Sequence, residues 1–294
     1  MTDEAAPATE TAAKSAGRPM LSRLFRAAPV APGQTYGVPG EGRTLFISVI
    51  AVISAVILWQ LVTATGLVKP LFLPGPVVVV EKFWSILQNG YTGAPLWQHV
   101  LISAGRVFGA FALACLIGIP LGLAMGMLPF ARGLFDPFIE FYRPIPPLAY
   151  LPLMIIWFGI GEVSKVMLIF LSVLAPVALG ARSGVKSAAI EQIHAAYSFG
   201  ASRGQVLREV ILPSALPEIL TAMRIGVGFG WTTLVAAEMV AATQGLGYMV
   251  LSASQFLQTS TVIVGIILIA LIAWAFDMAM RWIERRTVPW KGRM

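Results

Sequence analysis

Long apolar stretches alternate with short polar segments along most of this chain. A helix needs about 20 mostly apolar residues to cross the hydrocarbon layer of a membrane. Six stretches are interpreted as such helices, two of them on the short side: 44–68, 107–131, 144–161, 166–181, 219–240 and 259–279. The pattern predicts an all-α polytopic membrane protein with six transmembrane helices, occupying residues 44–286.

Two segments outside these spans have a different character. Residues 1–43 are rich in Ala, Thr, Pro and Gly and lack a helical period, which predicts a disordered or loosely packed cytoplasmic tail. Residues 287–294 are predicted to form a cytoplasmic C-terminal end. After the first span, Pro76 suits the first turn of a helix, and residues 77–87 alternate at helical spacing, which predicts a short helix at the membrane surface.

The few charged residues are distributed unevenly about the predicted spans. They make up 12% of the chain, against about 25% in a typical soluble domain. Lys and Arg favour the cytoplasmic side of membrane proteins. The tail, the loop after the fourth span and the C-terminal end hold most of them, so both termini are expected in the cytoplasm. This bias accounts for the net charge of +7 without nucleic-acid binding.

Residue types that carry catalysis or metal binding are sparse. One cysteine and two histidines make a zinc site of the Cys/His kind improbable. The sequence contains no Gly-Lys dipeptide and therefore no phosphate-binding P-loop. We predict no catalytic residue, no metal site and no cofactor in this chain, so that any ATP and magnesium must be bound by a partner.

The loop between the fourth and fifth spans contains two predicted helices. Residues 188–199 can form the first, ended by Gly200, and residues 203–211 the second, ended before Pro213. Gly commonly follows the end of a helix, and Pro disrupts one. Such a compact pair can be either a docking element for a cytoplasmic partner or a passive connector, and the residues alone leave both interpretations open.

This loop resembles a known motif. His194-Ala195-Ala196, three residues, Gly200, and then Ile211-Leu212-Pro213 are similar to the Glu-Ala-Ala loop of ABC-importer permeases. Nine residues separate Gly200 from Val210, as in the family pattern, and His194 replaces its glutamate. The resemblance implies that this loop sits in a groove of an ATPase subunit and transmits its motion. The implied coupling residues are His194, Ala195, Ala196, Gly200, Ala201, Leu212 and Pro213.

Two further stretches narrow the resemblance. Residues 141–162 (FYRPIPPLAYLPLMIIWFGIGE) and 237–249 (AEMVAATQGLGYM) are similar to permeases of the nitrate/sulfonate/taurine group, most of all to those for taurine. This implies the type I ABC-importer permease fold, the bacterial inner membrane, two permease copies, two ATPase chains and a periplasmic solute-binding protein. Alkanesulfonates and nitrate stay open as alternative solutes.

The third span is interrupted by prolines. Pro144, Pro146, Pro147 and Pro152 each remove a backbone donor. Non-helical backbone at membrane depth is tolerated where it lines a cavity or is buried in protein. The cluster is therefore interpreted as part of the translocation path, with a kink that serves packing alone as the alternative.

Charged residues near the spans are further candidates. Asp136, Glu140 and Arg143 follow at i, i+4 and i+7 and share a helical face. Arg143 either forms a local ion pair with Glu140 or lies beside the path of an anionic or zwitterionic solute. Glu238, near the outer end of the fifth span, is expected to line an outer gate or to face the binding protein. The path residues are thus Arg143, Pro144, Pro146, Pro147 and Glu238.

Glycines recur every four residues in two spans. Gly118, Gly122 and Gly126 lie in the second span, and Gly226 and Gly230 in the fifth. This spacing predicts close helix–helix approach.

Two other classes of protein compete with an importer subunit. A stand-alone secondary transporter or channel favours inverted repeats and ion-coupling carboxylates at mid-membrane. An intramembrane enzyme needs a catalytic pair within the spans. The sequence shows no convincing internal repeat and no such pair, which favours the importer subunit.

Overall fold

The computed structural model describes residues 45–289. The predicted tail at 1–43 and the last residues of the predicted C-terminal end lie outside this range. The chain divides after Val68 into two units. The first contains α1, Leu45–Ala64, whose 20 residues carry no charge.

The second unit contains ten α-helices between residues 69 and 289. They are α2 Pro76–Asn89, α3 Leu96–Met127, α4 Pro129–Tyr142, α5 Pro147–Phe158, α6 Glu162–Val185, α7 Ile190–Ser198, α8 Arg203–Val206, α9 Leu212–Ala241, α10 Leu246–Gln255 and α11 Thr259–Thr287. A single π-helical turn, Leu207–Ile211, joins α8 to α9 without a break.

Five of the six predicted spans are found as helices long and apolar enough to cross a membrane: α1, α3, α6, the run 203–241 that contains α9, and α11. The remaining one, predicted at 144–161, is the 12-residue helix α5. At 1.5 Å per residue α5 is about 18 Å long, short of the roughly 30 Å of a hydrocarbon core. The prolines before it and Gly159 after it, with φ of +77°, limit its length. Helices α4 and α10 were not predicted.

The core of the second unit lies where α3, α6 and α9 pack side by side. Buried Val107 and Ala114 of α3, Val173 and Val177 of α6, and Leu234 of α9 belong to one apolar cluster. Burying each aliphatic side chain of this kind contributes about 1.5–3 kcal/mol. These three helices therefore form the frame on which the other elements are placed.

Glycines set the distance between these helices. A Cβ on Gly122 would lie 2.1 Å from the carbonyl oxygen of Ala178, and one on Gly126 would lie 2.5 Å from Val185. On the other side of α6, a Cβ on Gly180 would lie 2.0 Å from the Cβ of Ala222 on α9. The prediction of close helix–helix approach at the glycines of α3 is confirmed, and Gly180 adds a contact that was not predicted.

The predicted surface helix is α2. Val79 and Ile86 are buried, whereas Val77, Val80 and Trp84 are exposed. An amphipathic helix with an exposed apolar face is suited to the interface of a bilayer.

Candidate functional site

A cavity of about 550 Å³ lies beside the proline-rich break between α4 and α5. Its walls come from the break itself, the middle of α6 and the first half of α9. Four of the five predicted path residues line it: Arg143, Pro144, Pro146 and Pro147. The break therefore borders a cavity, and its part in a translocation path stays a prediction.

The backbone explains why the break opens here. Helix α4 ends at Tyr142, and the amide of Ile145 donates to the Tyr142 carbonyl oxygen at 3.0 Å, which closes a turn. Pro146 then takes an extended conformation, with φ of −56° and ψ of 132°, and Pro147 begins α5. Proline lacks the amide hydrogen that would continue a helix, so the two helices are separated by a short non-helical wall.

Two charged side chains, Arg143 and Glu218, line this cavity among the residues that the structure describes. Arg143 is half exposed and lies 3.4 Å from Glu140, which confirms the predicted local pair. It also faces the cavity, so the two alternatives for Arg143 are not exclusive. Asp136 instead pairs with Arg182 of α6.

Glu218 was not identified from the sequence. It lies about two turns into α9 and is exposed. It directly precedes the predicted span 219–240, so it did not stand out as an acidic residue within a span, which would mark a functional position by default. The structure shows that Glu218 and Arg143 line the same cavity.

Glu238 does not line this cavity, and the prediction that it faces an outer gate or a partner is not met in this structure. Its side chain is fully buried. It accepts hydrogen bonds from the Ser103 hydroxyl at 2.7 Å and the Gly247 amide at 2.8 Å. An ionised carboxylate at that depth requires a cation, and Arg106 of α3 provides one at 2.6 Å.

Arg106 is the centre of what we call the outer cluster: Ser103, Arg106, Glu162, Lys165 and Glu238. Its guanidinium donates through Nε and Nη2 to the two carboxylate oxygens of Glu162, each at 2.6 Å. Lys165 contacts the same carboxylate at 2.9 Å. Bidentate, charge-assisted pairs of this kind are strong and geometrically specific. The cluster joins α3, α6 and α9, and its four charges balance.

The loop between α9 and α10 is tied to the same region. The amide of Leu246 donates to the Ser103 hydroxyl at 2.8 Å. The amide of Gly245 donates to Nδ1 of buried His99 at 3.1 Å, and the tautomer protonated on Nε2 donates to the Tyr91 carbonyl oxygen at 3.1 Å. These bonds satisfy buried polar groups that would otherwise destabilise the fold. Sequence reasoning assigned neither Arg106 nor His99 a role.

The predicted coupling residues lie in α7 and in the residues that follow it. We call residues 190–213 the coupling segment. No residue of α7 is buried, although all of it is described. Ile190, Tyr197 and Phe199 expose 54%, 46% and 92% of their surfaces. His194 and Ala195 are also exposed, and Ala196 is half-buried. Apolar side chains presented in this way are typical of a docking surface.

Gly200 ends α7 as predicted. Its φ is +82°, which L-residues with a side chain adopt at a cost. The Gly200 amide donates to the Tyr197 carbonyl oxygen at 2.9 Å, and the Ala201 amide to that of Ala196 at 3.0 Å. This is the Schellman arrangement of a glycine-terminated helix, and it fixes the direction in which the chain leaves α7.

The second predicted helix does not end before Pro213, contrary to expectation. It begins with a capping box between Ser202 and Gln205 and continues through the π-helical turn into α9. Within that turn the Leu212 amide donates to the Leu207 carbonyl oxygen, five residues back. The wider turn accommodates the missing amide of Pro213 near the start of α9.

The base of the coupling segment is also fixed to α6. The Ser187 hydroxyl contacts the carbonyl oxygen of Ser214 at 2.7 Å. A Cβ on Gly184 would lie 2.8 Å from the carbonyl oxygen of Ala215, so α6 and α9 touch there. The structure thus groups the predicted coupling residues at one end of α9 and places the outer cluster near the other.

Known proteins are similar to this chain over most of its length. The family described as "Binding-protein-dependent transport system inner membrane component" matches residues 118–289. The taurine transport system permease protein TauC of Escherichia coli K12 is 54% identical over 252 residues, 85% of this chain and 91% of that protein. The putative aliphatic sulfonates transport permease protein SsuC of the same organism is 36% identical over 81% of this chain and 89% of that protein.

Solved structures agree on the fold. A chain of the methionine ABC transporter MetNI, in an inward-facing conformation, matches with a TM-score of 0.58 and 19% identity, over 67% of this chain and 99% of that chain. At this identity the likeness shows the fold, which is that of type I ABC-importer permeases. With the family match covering more than half of the sequence, this chain belongs to the inner-membrane permease components of binding-protein-dependent transport systems.

Proposed function

We propose that this chain forms the translocation path for taurine or a related sulfonate in an ATP-driven importer. The observation that carries the proposal is the 54% identity to a taurine transport permease over 85% of the chain. The cavity at the proline break supports it, because two charged side chains, Arg143 and Glu218, line its wall. Import of alkanesulfonate or nitrate by the same architecture is the alternative.

We further propose the assembly that this activity needs. Two copies of the chain form the path, two ATPase chains bind ATP and magnesium, and a periplasmic protein delivers the solute. The absence of a P-loop from the sequence supports a separate ATPase. The distribution of Lys and Arg supports placing both termini in the cytoplasm of a bacterium, with the coupling segment on the same side.

The proposed coupling starts at α7. The exposed side chains of Tyr197 and of Phe199, the residue that follows α7, enter a groove of the ATPase. Closure of the ATPase pair moves α7, and the Schellman turn and the continuous helix after Ser202 pass this motion to α9. Because α9 also carries Glu218 and Phe229 on the cavity wall, the same motion changes the shape of the cavity.

A transport assay tests the proposal. The chain is reconstituted into liposomes with its ATPase and binding protein, and uptake of labelled taurine is measured with and without ATP. We expect ATP-dependent uptake that excess unlabelled taurine suppresses more strongly than excess ethanesulfonate or nitrate. Uptake of nitrate or ethanesulfonate in preference to taurine would replace the proposed solute.

A further inference from the structure

The cavity beside the proline break contains one cationic and one anionic side chain among the residues that the structure describes. Arg143 follows α4, and Glu218 lies on α9. Between them the wall is apolar or carries hydroxyl groups, with Tyr142, Ser172 and Thr221 among the latter. Opposite charges on two separate walls of a cavity match a molecule that itself carries both signs.

The balance of charge favours such a molecule over a simple anion. Glu140 lies 3.4 Å from Arg143 and offsets its charge. Glu218 makes no ion pair within 4 Å with any described residue. The three side chains together therefore carry a net charge of −1. A lone anion would be repelled by this field, whereas an ammonium group would be attracted to Glu218.

The Glu218 side chain is not part of the packed core of the second unit. Its side chain is exposed, two turns inside α9. An ionised side chain in a membrane span is unfavourable unless it faces water or a partner of opposite charge. Facing the cavity leaves the carboxylate available to a solute.

Contacts with α6 locate the surroundings of the two residues along that helix. Tyr142, which precedes Arg143, reaches the Leu171 carbonyl oxygen at 3.4 Å. The Glu218 backbone lies beside Gly180 on the same helix, α6. These two levels are about 13 Å apart along the helix axis, at 1.5 Å per residue. The cavity of about 550 Å³ that both residues line has room for a molecule the size of a small amino acid.

We propose that this cavity binds a small zwitterion, with the oxyanion of the solute on Arg143 and its ammonium group on Glu218. The inference rests on the proposed function and adds that the permease itself, and not only the binding protein, selects an amine-bearing solute. Taurine has this chemistry. Isethionate, in which a hydroxyl replaces the ammonium group, lacks it.

Binding to the permease–ATPase complex without the binding protein tests the proposal. Labelled taurine is the probe, and unlabelled isethionate is the competitor. We expect saturable taurine binding that isethionate displaces poorly. Glu218→Gln should weaken taurine binding about tenfold or more, because a charge-assisted hydrogen bond is lost, and should narrow the difference between the two compounds. Glu218→Asp should retain much of the affinity.

Glu81→Gln is the matched control, since Glu81 is an exposed carboxylate on α2 and does not line the cavity. Equal taurine affinity in wild type and Glu218→Gln would overturn the inference, as would an equal loss in Glu81→Gln or no saturable binding by wild type. If wild type still imports taurine in the transport assay, the proposed function survives that result. Failure of taurine uptake by the wild-type complex would overturn both.

Discussion

Glycine residues determine how closely the long helices approach one another, because they have no Cβ. Gly122 allows α3 to lie against the backbone of α6, because any Cβ there would meet the Ala178 carbonyl oxygen at 2.1 Å. Gly109 lies on the same helix, and a Cβ there would meet nothing within 4 Å. The two positions therefore separate the effect of packing from that of helix propensity.

We predict that Gly122→Ala destabilises the protein by about 1–3 kcal/mol, since the backbone of one helix must shift. Gly109→Ala should be neutral or slightly stabilising, because alanine favours helix by up to about 1 kcal/mol over glycine. Thermal unfolding of the purified protein in detergent measures both. Equal midpoint temperatures for the two variants would contradict the packing argument.

Gly200 is the second position where the absence of a side chain matters, in this case for its backbone conformation. We predict that Gly200→Arg lowers uptake strongly while ATP hydrolysis by the complex persists, because the φ of +82° strains a residue with a side chain by about 1–2 kcal/mol. The turn after α7 would then be displaced and coupling lost. Uptake and ATPase rates are measured on the same proteoliposomes.

Gly204→Ala is the control for this change, since Gly204 lies in α8 and a Cβ there would meet nothing within 4 Å. It should leave both rates near those of wild type. Normal uptake by Gly200→Arg at normal abundance would show that the turn does not transmit motion.

The outer cluster acts between helices, and its contribution is to their mutual arrangement. Arg106 of α3 holds Glu162 of α6 and Glu238 of α9 at once. A buried ion pair adds little net stability relative to apolar residues, but removing one partner leaves an uncompensated charge. The cluster thus makes the relative positions of three helices depend on a single guanidinium.

We predict that Arg106→Gln destabilises the protein by about 3–5 kcal/mol, because Glu238 remains buried without its cation. The double variant Arg106→Gln with Glu238→Gln should recover part of this loss. Arg281→Gln, which removes an exposed pair with Asp277, should cost no more than about 1 kcal/mol. Midpoint temperatures in detergent compare the three, and a loss in Arg106→Gln no larger than in Arg281→Gln would refute the assignment.

At the level of the assembled transporter, ATP hydrolysis by a partner chain and an ion gradient are the two energy sources to compare. The chain has no phosphate-binding loop, and its coupling segment is exposed at the end of α9 opposite the outer cluster. A secondary transporter would instead draw on an ion gradient through carboxylates at mid-membrane.

We therefore predict that the chain reconstituted alone neither hydrolyses ATP nor accumulates taurine against a gradient, with or without a proton or sodium gradient. Addition of the ATPase and the binding protein should restore both activities. An ATPase variant that binds ATP without hydrolysing it serves as the control and should not support repeated turnover. Gradient-driven accumulation by the chain alone would favour the secondary transporter.

Much of the architecture could be predicted because hydropathy and helix termination are local properties of neighbouring residues. The apolar runs located the spans that became α1, α3, α6, α9 and α11. Gly200 marked the end of α7, and the proline cluster marked the break that lines the cavity. Resemblance in residues 141–162 and 237–249 pointed to the correct family.

Contacts between residues far apart along the chain decided the rest. Arg106 and Glu238 are 132 residues apart, and nothing near either one identifies the other, so Glu238 was expected at a gate and is buried instead. Pro213 was expected to end a helix, and a π-helical turn carries the helix past it. Glu218 became a candidate only when folding placed it across a cavity from Arg143. Local composition determines which segments are helices, whereas the pairing of charges depends on how those helices pack.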